Sequence, residues 1–89
     1  MIDSETTRFE MGSERKIQAR EIMTEVMQAL EEKGYNPINQ LVGYFVSGDP
    51  TYITNHMGAR ATIRRMERDE LLEVIIRDYV QQLKDGSDN

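Results

Sequence analysis

Residues 34–50, GYNPINQLVGYFVSGDP, carry the same punctuation twice: Gly34 followed by Asn36-Pro37, then Gly48 followed by Asp49-Pro50. A glycine tolerates the left-handed conformation that closes a helix. An Asx-Pro pair supplies a side-chain acceptor for stranded N–H groups and a fixed φ that starts the next one. Asn36 and Asp49 are therefore read as helix N-caps, and the chain must turn sharply at both places. Between them Ile38, Leu41, Val42, Phe45 and Val46 recur at the spacing of one helical face, so LVGYFV belongs to a helix rather than a strand. Gly43, in mid-helix, marks a close approach of another backbone. A third, short helix is expected from Thr51 to about Thr54. Turns of this kind set helices at steep angles, as in helix-turn-helix units.

Upstream, Ala19, Ile22, Met23, Val26, Met27 and Leu30 recur at spacings of three and four, with Glu21, Glu25, Gln28, Glu31 and Glu32 filling the other side. This pattern predicts an amphipathic helix from about Glu14, closed by Lys33 and Gly34. Residues 1–13, MIDSETTRFEMGS, show no sustained apolar period and read as a mobile tail. Downstream, Ala59, Ile63 and Met66 form one stripe, while Leu72, Ile75, Ile76, Tyr79 and Leu83 form another about 120° away at the helical repeat. Either the helix breaks near Glu67 to Asp69 or it touches two surfaces. Leu71, Val74 and Val80 widen the second stripe beyond the needs of one small core, so Leu72, Ile75, Ile76, Tyr79 and Leu83 are read as a subunit interface. The expected architecture is all-α: a compact, homodimeric array of four to five short helices over residues 14–84, with a disordered end at 85–89.

With 89 residues the chain makes one domain of modest core. It has no cysteine, which excludes disulfides, thiolate metal sites and thiol nucleophiles. It shows no secretory signal and no apolar run of membrane-spanning length, so a cytoplasmic, membrane-free location is expected. A formal net charge of -5 opposes general binding to nucleic acid.

Against that acidic balance, Arg60, Arg64 and Arg68 stand at i, i+4 and i+8 with Arg65 beside them. On a continuous helix this is a ladder of guanidinium groups suited to an anionic partner; the structural alternative is a solvated face paired to Glu67, Asp69 and Glu73. His56 has no companion nucleophile or carboxylate at a known spacing, no metal-ligand pattern occurs, and no catalytic residue, metal or cofactor is expected. Tyr35, Tyr44, Tyr52 and Tyr79 read as core or interface fillers, and Met23, Met27 and Met66 as adaptable packing.

EEKGYNPINQLVGYFVSGDPTYI, followed by ARATIRRMERDE, resembles the IreB family of small regulatory phosphoproteins of Gram-positive bacteria, with a match running from about Met23 to Tyr79. Thr54-Asn55 stands before His56 where the family commonly has Pro-Arg. The resemblance implies an all-helical homodimer that is a substrate of a cell-wall-sensing Ser/Thr kinase and its partner phosphatase. It further implies a role in peptidoglycan synthesis or cell-wall stress resistance, in some members through turnover of a cell-wall enzyme by a Clp-type protease. It also places the phosphoacceptor at Thr6 of ETTRF, with Thr7 and Ser4 as rivals. A phosphate there would add about -1.5 to -2 charge and compete with an acidic partner for the arginines. The alternative from a different class is a DNA-binding helix-turn-helix regulator using the Arg60 to Arg68 face.

Overall fold

The computed structural model describes residues 2–85, and the side chains of residues 13–85. The elements they form are all helical, without a strand. Helix α1 spans Ile2–Glu32, α2 Pro37–Ser47, α3 Ala59–Ile63 and α4 Arg68–Asp85, with 3-10 turns at Pro50–Tyr52 and His56–Gly58. The helical backbone of α1 begins well before Glu14, so this helix is 31 residues long rather than short.

Helix α1 is the spine on which the others pack, α3 most extensively. Its inner stripe is Ala19, Ile22, Val26, Ala29 and Leu30, all buried. Removing such side chains from water stabilises the fold by roughly 1.5–3 kcal/mol for each fully buried large residue. Met23 packs at the edge of this core, and Met27 is exposed. The helix closes as a Schellman motif: Tyr35 N–H donates to the Leu30 carbonyl at 2.9 Å and Gly34 N–H to the Glu31 carbonyl at 3.0 Å, with Gly34 left-handed.

Both expected caps are present. Asn36 Oδ1 accepts from the N–H groups of Ile38 (2.9 Å) and Asn39 (3.2 Å), with Pro37 opening α2. Asn36→Ala strands both donors and is expected to lower stability by about 0.5–2 kcal/mol, read as a fall in thermal midpoint with unchanged far-UV helicity at low temperature. Asp49 Oδ1 accepts from Thr51 N–H at 3.0 Å and Thr51 Oγ1 at 2.7 Å, but the element it caps is a single 3-10 turn rather than a helix to Thr54.

These bonds, first the backbone one and then the hydroxyl, hold the Asp49 carboxyl below its ordinary pKa. A depressed carboxyl contributes stability that is present above the ordinary carboxylate range and lost as pH falls through the lowered value. Thermal melts of wild type and Asp49→Asn should therefore differ at neutral pH and converge as the buffer is taken below about pH 4, the ordinary aspartate value. A constant difference across that range would show that ionisation of Asp49 is irrelevant to the cap.

The apolar residues of α2 that the spacing puts on one face divide between the core and the surface. Leu41 and Tyr44 are buried and Phe45 packs beside them, whereas Ile38, Val42 and Val46 are 70%, 54% and 80% exposed. Gly43 marks a close approach, but of an aromatic ring rather than a backbone: a Cβ there would lie 2.6 Å from Tyr52 Cδ1. Below α2, Ile53 is fully buried, and Thr54 N–H donates to Gln40 Oε1 at 2.9 Å, tying the loop to the helix.

The last third breaks, the first of the two alternatives its stripes leave open, and does so just before Arg68. Helix α3 ends at Ile63, residues 64–67 form a turn, and α4 starts at Arg68. Ala59, Ile63 and Met66 enter the core with Leu71, while Val74 and Ile75 pack on its edge. Leu71 and Ile75 thus serve the chain's own core, which corrects part of the expected interface. Leu72 is half-buried, and Ile76, Tyr79, Val80 and Leu83 remain exposed along α4.

Candidate functional site

The arginine ladder assumes one continuous helix, and the turn at 64–67 dismantles it. Arg60 lies on α3, Arg64 is its C-terminal cap residue, and Arg68 opens α4. Their surroundings differ. Arg60 Nε donates to the Ile53 carbonyl at 3.0 Å, satisfying a loop acceptor from a partly buried position. Arg65 faces Glu25 of α1 at 3.6 Å, an exposed pair of the kind worth at most about 1 kcal/mol. None of the four pairs with Glu67, Asp69 or Glu73. Among the described residues Arg64 and Arg68 have no carboxylate within ion-pair distance.

Those two arginines converge on a polar cleft of about 590 Å³ between the end of α2 and the turn into α4, lined by Tyr44, Gly48, Arg64, Met66, Glu67, Arg68 and Asp69. Two features of α2 shape it. Gly48 adopts φ 78° and donates its N–H to the Tyr44 carbonyl at 2.7 Å, closing the helix. The Arg68 guanidinium occupies the place where a side chain at Gly48 would begin. Tyr44 is 4% exposed and stacks obliquely on Phe45, ring centroids 5.4 Å apart. Burial raises its pKa, while the positive charges of Arg68 and then Arg64 oppose the rise more than Glu67 supports it. Its phenol therefore sits in the field of both guanidiniums.

A second cleft, about 260 Å³ and largely apolar, runs between α1 and α4 over Ala19, Met23, Met27, Val74 and Ile75, edged by Lys16, Arg20, Thr24 and Asp78. His56 Nε2 meets Glu32 Oε1 at 2.6 Å and ties the turn before α3 to the end of α1, a carboxylate partner that the sequence spacing did not reveal. No group of three metal-ligating side chains occurs among the described residues.

The profile of a family described as the IreB regulatory phosphoprotein matches residues 4–81. The chain belongs to the IreB family. It is also similar to a UPF0297 protein of Acetivibrio thermocellus, 56% identical over 89 residues that cover 98% of this chain and 99% of the relative. A UPF0297 protein of Ruminiclostridium cellulolyticum is 56% identical over 78 residues, covering 88% and 89%. The IreB description is of a regulatory protein and names no catalytic activity. Among the described residues no helix is long and apolar enough to cross a membrane.

Of the sequence-derived site residues, Arg64 and Arg68 come together, and Arg60 and Arg65 are engaged elsewhere. The side chains of Ser4, Thr6 and Thr7 lie outside those described. Tyr44 and Gly48 were missed as site residues. The one signal available was Gly48 itself, a left-handed cap that leaves the end of α2 open to a neighbouring side chain.

Proposed function

We propose that this IreB-family chain is a non-enzymatic adaptor whose Thr6 is phosphorylated by a cell-wall-sensing Ser/Thr kinase and dephosphorylated by its partner phosphatase. It acts in the cytoplasm by binding proteins that set peptidoglycan synthesis or cell-wall stress resistance, by regulation or proteolysis of a cell-wall enzyme. The observation that carries this reading is the family match over residues 4–81, which takes in Thr6 and the helical core together. Thr6 Oγ would attack the γ-phosphoryl group of ATP with ADP leaving, and water would reverse the modification on the phosphatase.

The exposed apolar residues favour a protein-binding role. Ile38, Val42 and Val46 fall on one face of α2, and Ile76, Tyr79, Val80 and Leu83 on one face of α4. A second copy of the chain on the α4 face makes a homodimer, and sedimentation giving only a monomer at micromolar concentration would reject that part. Arg64 and Arg68 are the arginines free to meet an acidic partner. The DNA-binding alternative loses its recognition element, since α3 has 5 residues and Arg60 is turned to the Ile53 carbonyl. No appreciable affinity for random duplex, even at low salt, is expected.

The test is mass spectrometry of the protein isolated from its native cell under cell-wall stress, beside Thr6→Ala. A single phosphate on the peptide containing Thr6, absent from the variant, supports the assignment. An unmodified Thr6 with phosphate on Thr7 or Ser4 moves the site, and no phosphate at all removes the kinase.

A further inference from the structure

Tyr44 buries its ring, 4% exposed as a residue, but opens onto the cleft, where no acceptor among the described residues takes the proton of its phenol. It lines the same cleft as Arg64 and Arg68, whose guanidiniums have no carboxylate partner within the described chain, even though Glu67 and Asp69 line that cleft too. Three donors with no acceptor thus face one space, walled on the α2 side by Gly48, the residue whose missing side chain leaves room for the Arg68 guanidinium.

We propose that the cleft of Tyr44, Gly48, Arg64 and Arg68 is a binding site for a phosphate dianion, either free phosphate or the phosphoryl group of a phosphorylated side chain. This deepens the reading of Arg64 and Arg68 as recognition residues and stands independently of whether Thr6 is the residue modified. A phosphoryl group offers several acceptor oxygens at once: two guanidiniums take them as planar donors, and the Tyr44 hydroxyl supplies a further O–H. A volume of about 590 Å³ admits a phosphoryl group together with the residue that carries it. Glu67 and Asp69 shape the selectivity. Their charges repel an anion spread along a chain, so the site rewards a compact group whose charge sits between the arginines. A single carboxylate carries half the charge and fewer acceptor oxygens, and gains correspondingly less. The competing structural account is that Arg68 merely covers the carbonyl end of α2, with the electrostatic benefit of a cation at a helix C-terminus. That account leaves Arg64 and the Tyr44 hydroxyl without a role and predicts no ligand.

The experiment is a backbone and arginine side-chain NMR titration of the full chain with inorganic phosphate, with N-acetyl phosphothreonine methylamide, and with the corresponding glutamate derivative, at constant ionic strength. Saturable shifts confined to Tyr44, Gly48, Arg64 and Arg68 are expected with both phosphates. Tighter binding of the phosphothreonine derivative assigns the source to a phosphorylated side chain, and equal or tighter binding of inorganic phosphate assigns it to the free ion. Tyr44→Phe and Arg64→Gln, which keep the bulk of each side chain, should each weaken phosphate about tenfold, the scale of one hydrogen bond to a charged group. Arg65→Gln, whose native partner is Glu25, should leave it unchanged. Shifts that do not saturate, that spread over the surface, or that fall equally in Arg65→Gln would overturn the site. Equal affinity for the glutamate derivative would overturn its assignment to a dianion. If a variant melts before it can be titrated, the wild-type titrations alone still decide the matter.

Discussion

Ile63→Ala is expected to cost about 2–5 kcal/mol, a large share of the roughly 5–15 kcal/mol by which a domain of this size is stable. Ile63 is fully buried and ends α3, the helix that packs most extensively on α1. Truncation leaves a cavity that the 5-residue α3 cannot close by sliding, because Arg60 is bonded to the Ile53 carbonyl at one end and the chain turns toward α4 at the other. The thermal midpoint should fall by about 10 °C or more, at roughly 4–8 °C per kcal/mol for a chain of this length. Val46→Ala removes an apolar side chain that is 80% exposed and should change a monomer's stability by no more than about 0.5 kcal/mol. Equal losses for the two variants would show that the assigned core is wrong. A Val46→Ala loss that appears only as the protein is concentrated would show instead that a second copy covers α2.

That contrast also locates what the sequence could and could not say. The end of α1 and both ends of α2 were readable because they rest on local chemistry at Gly34, Asn36-Pro37 and Gly48, whereas the start of α1 and the length of the turn after Asp49-Pro50 were not. The stripe of α1 was readable because α1 lies against the rest of the fold along a single side, although Ala29 was left out of it and Met27, counted in it, is exposed. For α2 the period was right, but the one face it drew is divided: Leu41 and Phe45 pack inward, while Ile38, Val42 and Val46 stay exposed. Ile38, Val42 and Val46 make as good a stripe as Leu41, Tyr44 and Phe45, and spacing cannot tell a face that packs inward from one kept for a partner. Tyr44 was counted a filler and is buried in the core as such; what spacing could not show is that its phenol lies in the field of arginines that come from beyond a turn. The arginine ladder failed for a related reason. Spacing of i, i+4, i+8 predicts one face only while the helix continues, and the turn at residues 64–67 rotates Arg68 away from Arg60 and toward the end of α2. The break itself was one of the two alternatives that the apolar stripes left open; its consequence for the arginines required knowing the angle of the turn.

Gly48→Ala should separate two roles that this glycine holds at once. The first is conformational: φ of 78° places it in the left-handed region, where a Cβ costs roughly 1–2 kcal/mol, partly offset by the smaller entropy of the unfolded chain. Gly34, at φ 84° and with nothing near its missing side chain, has this role alone. The second role is steric. The added methyl group would fall on the Arg68 guanidinium, but Arg68 is exposed and its far end can swing into water, so this displacement adds little to the stability cost. Gly34→Ala and Gly48→Ala should therefore melt at similar temperatures, each below wild type, while differing in the cleft: only Gly48→Ala should move the Arg68 Nε–H signal and weaken phosphate as Arg68→Gln does. A Gly48→Ala protein as stable as wild type would mean that α2 does not end in a left-handed cap. One that is destabilised yet binds phosphate normally would mean that Arg68 reaches the anion without lying over Gly48, and the wall of the site would have to be drawn elsewhere.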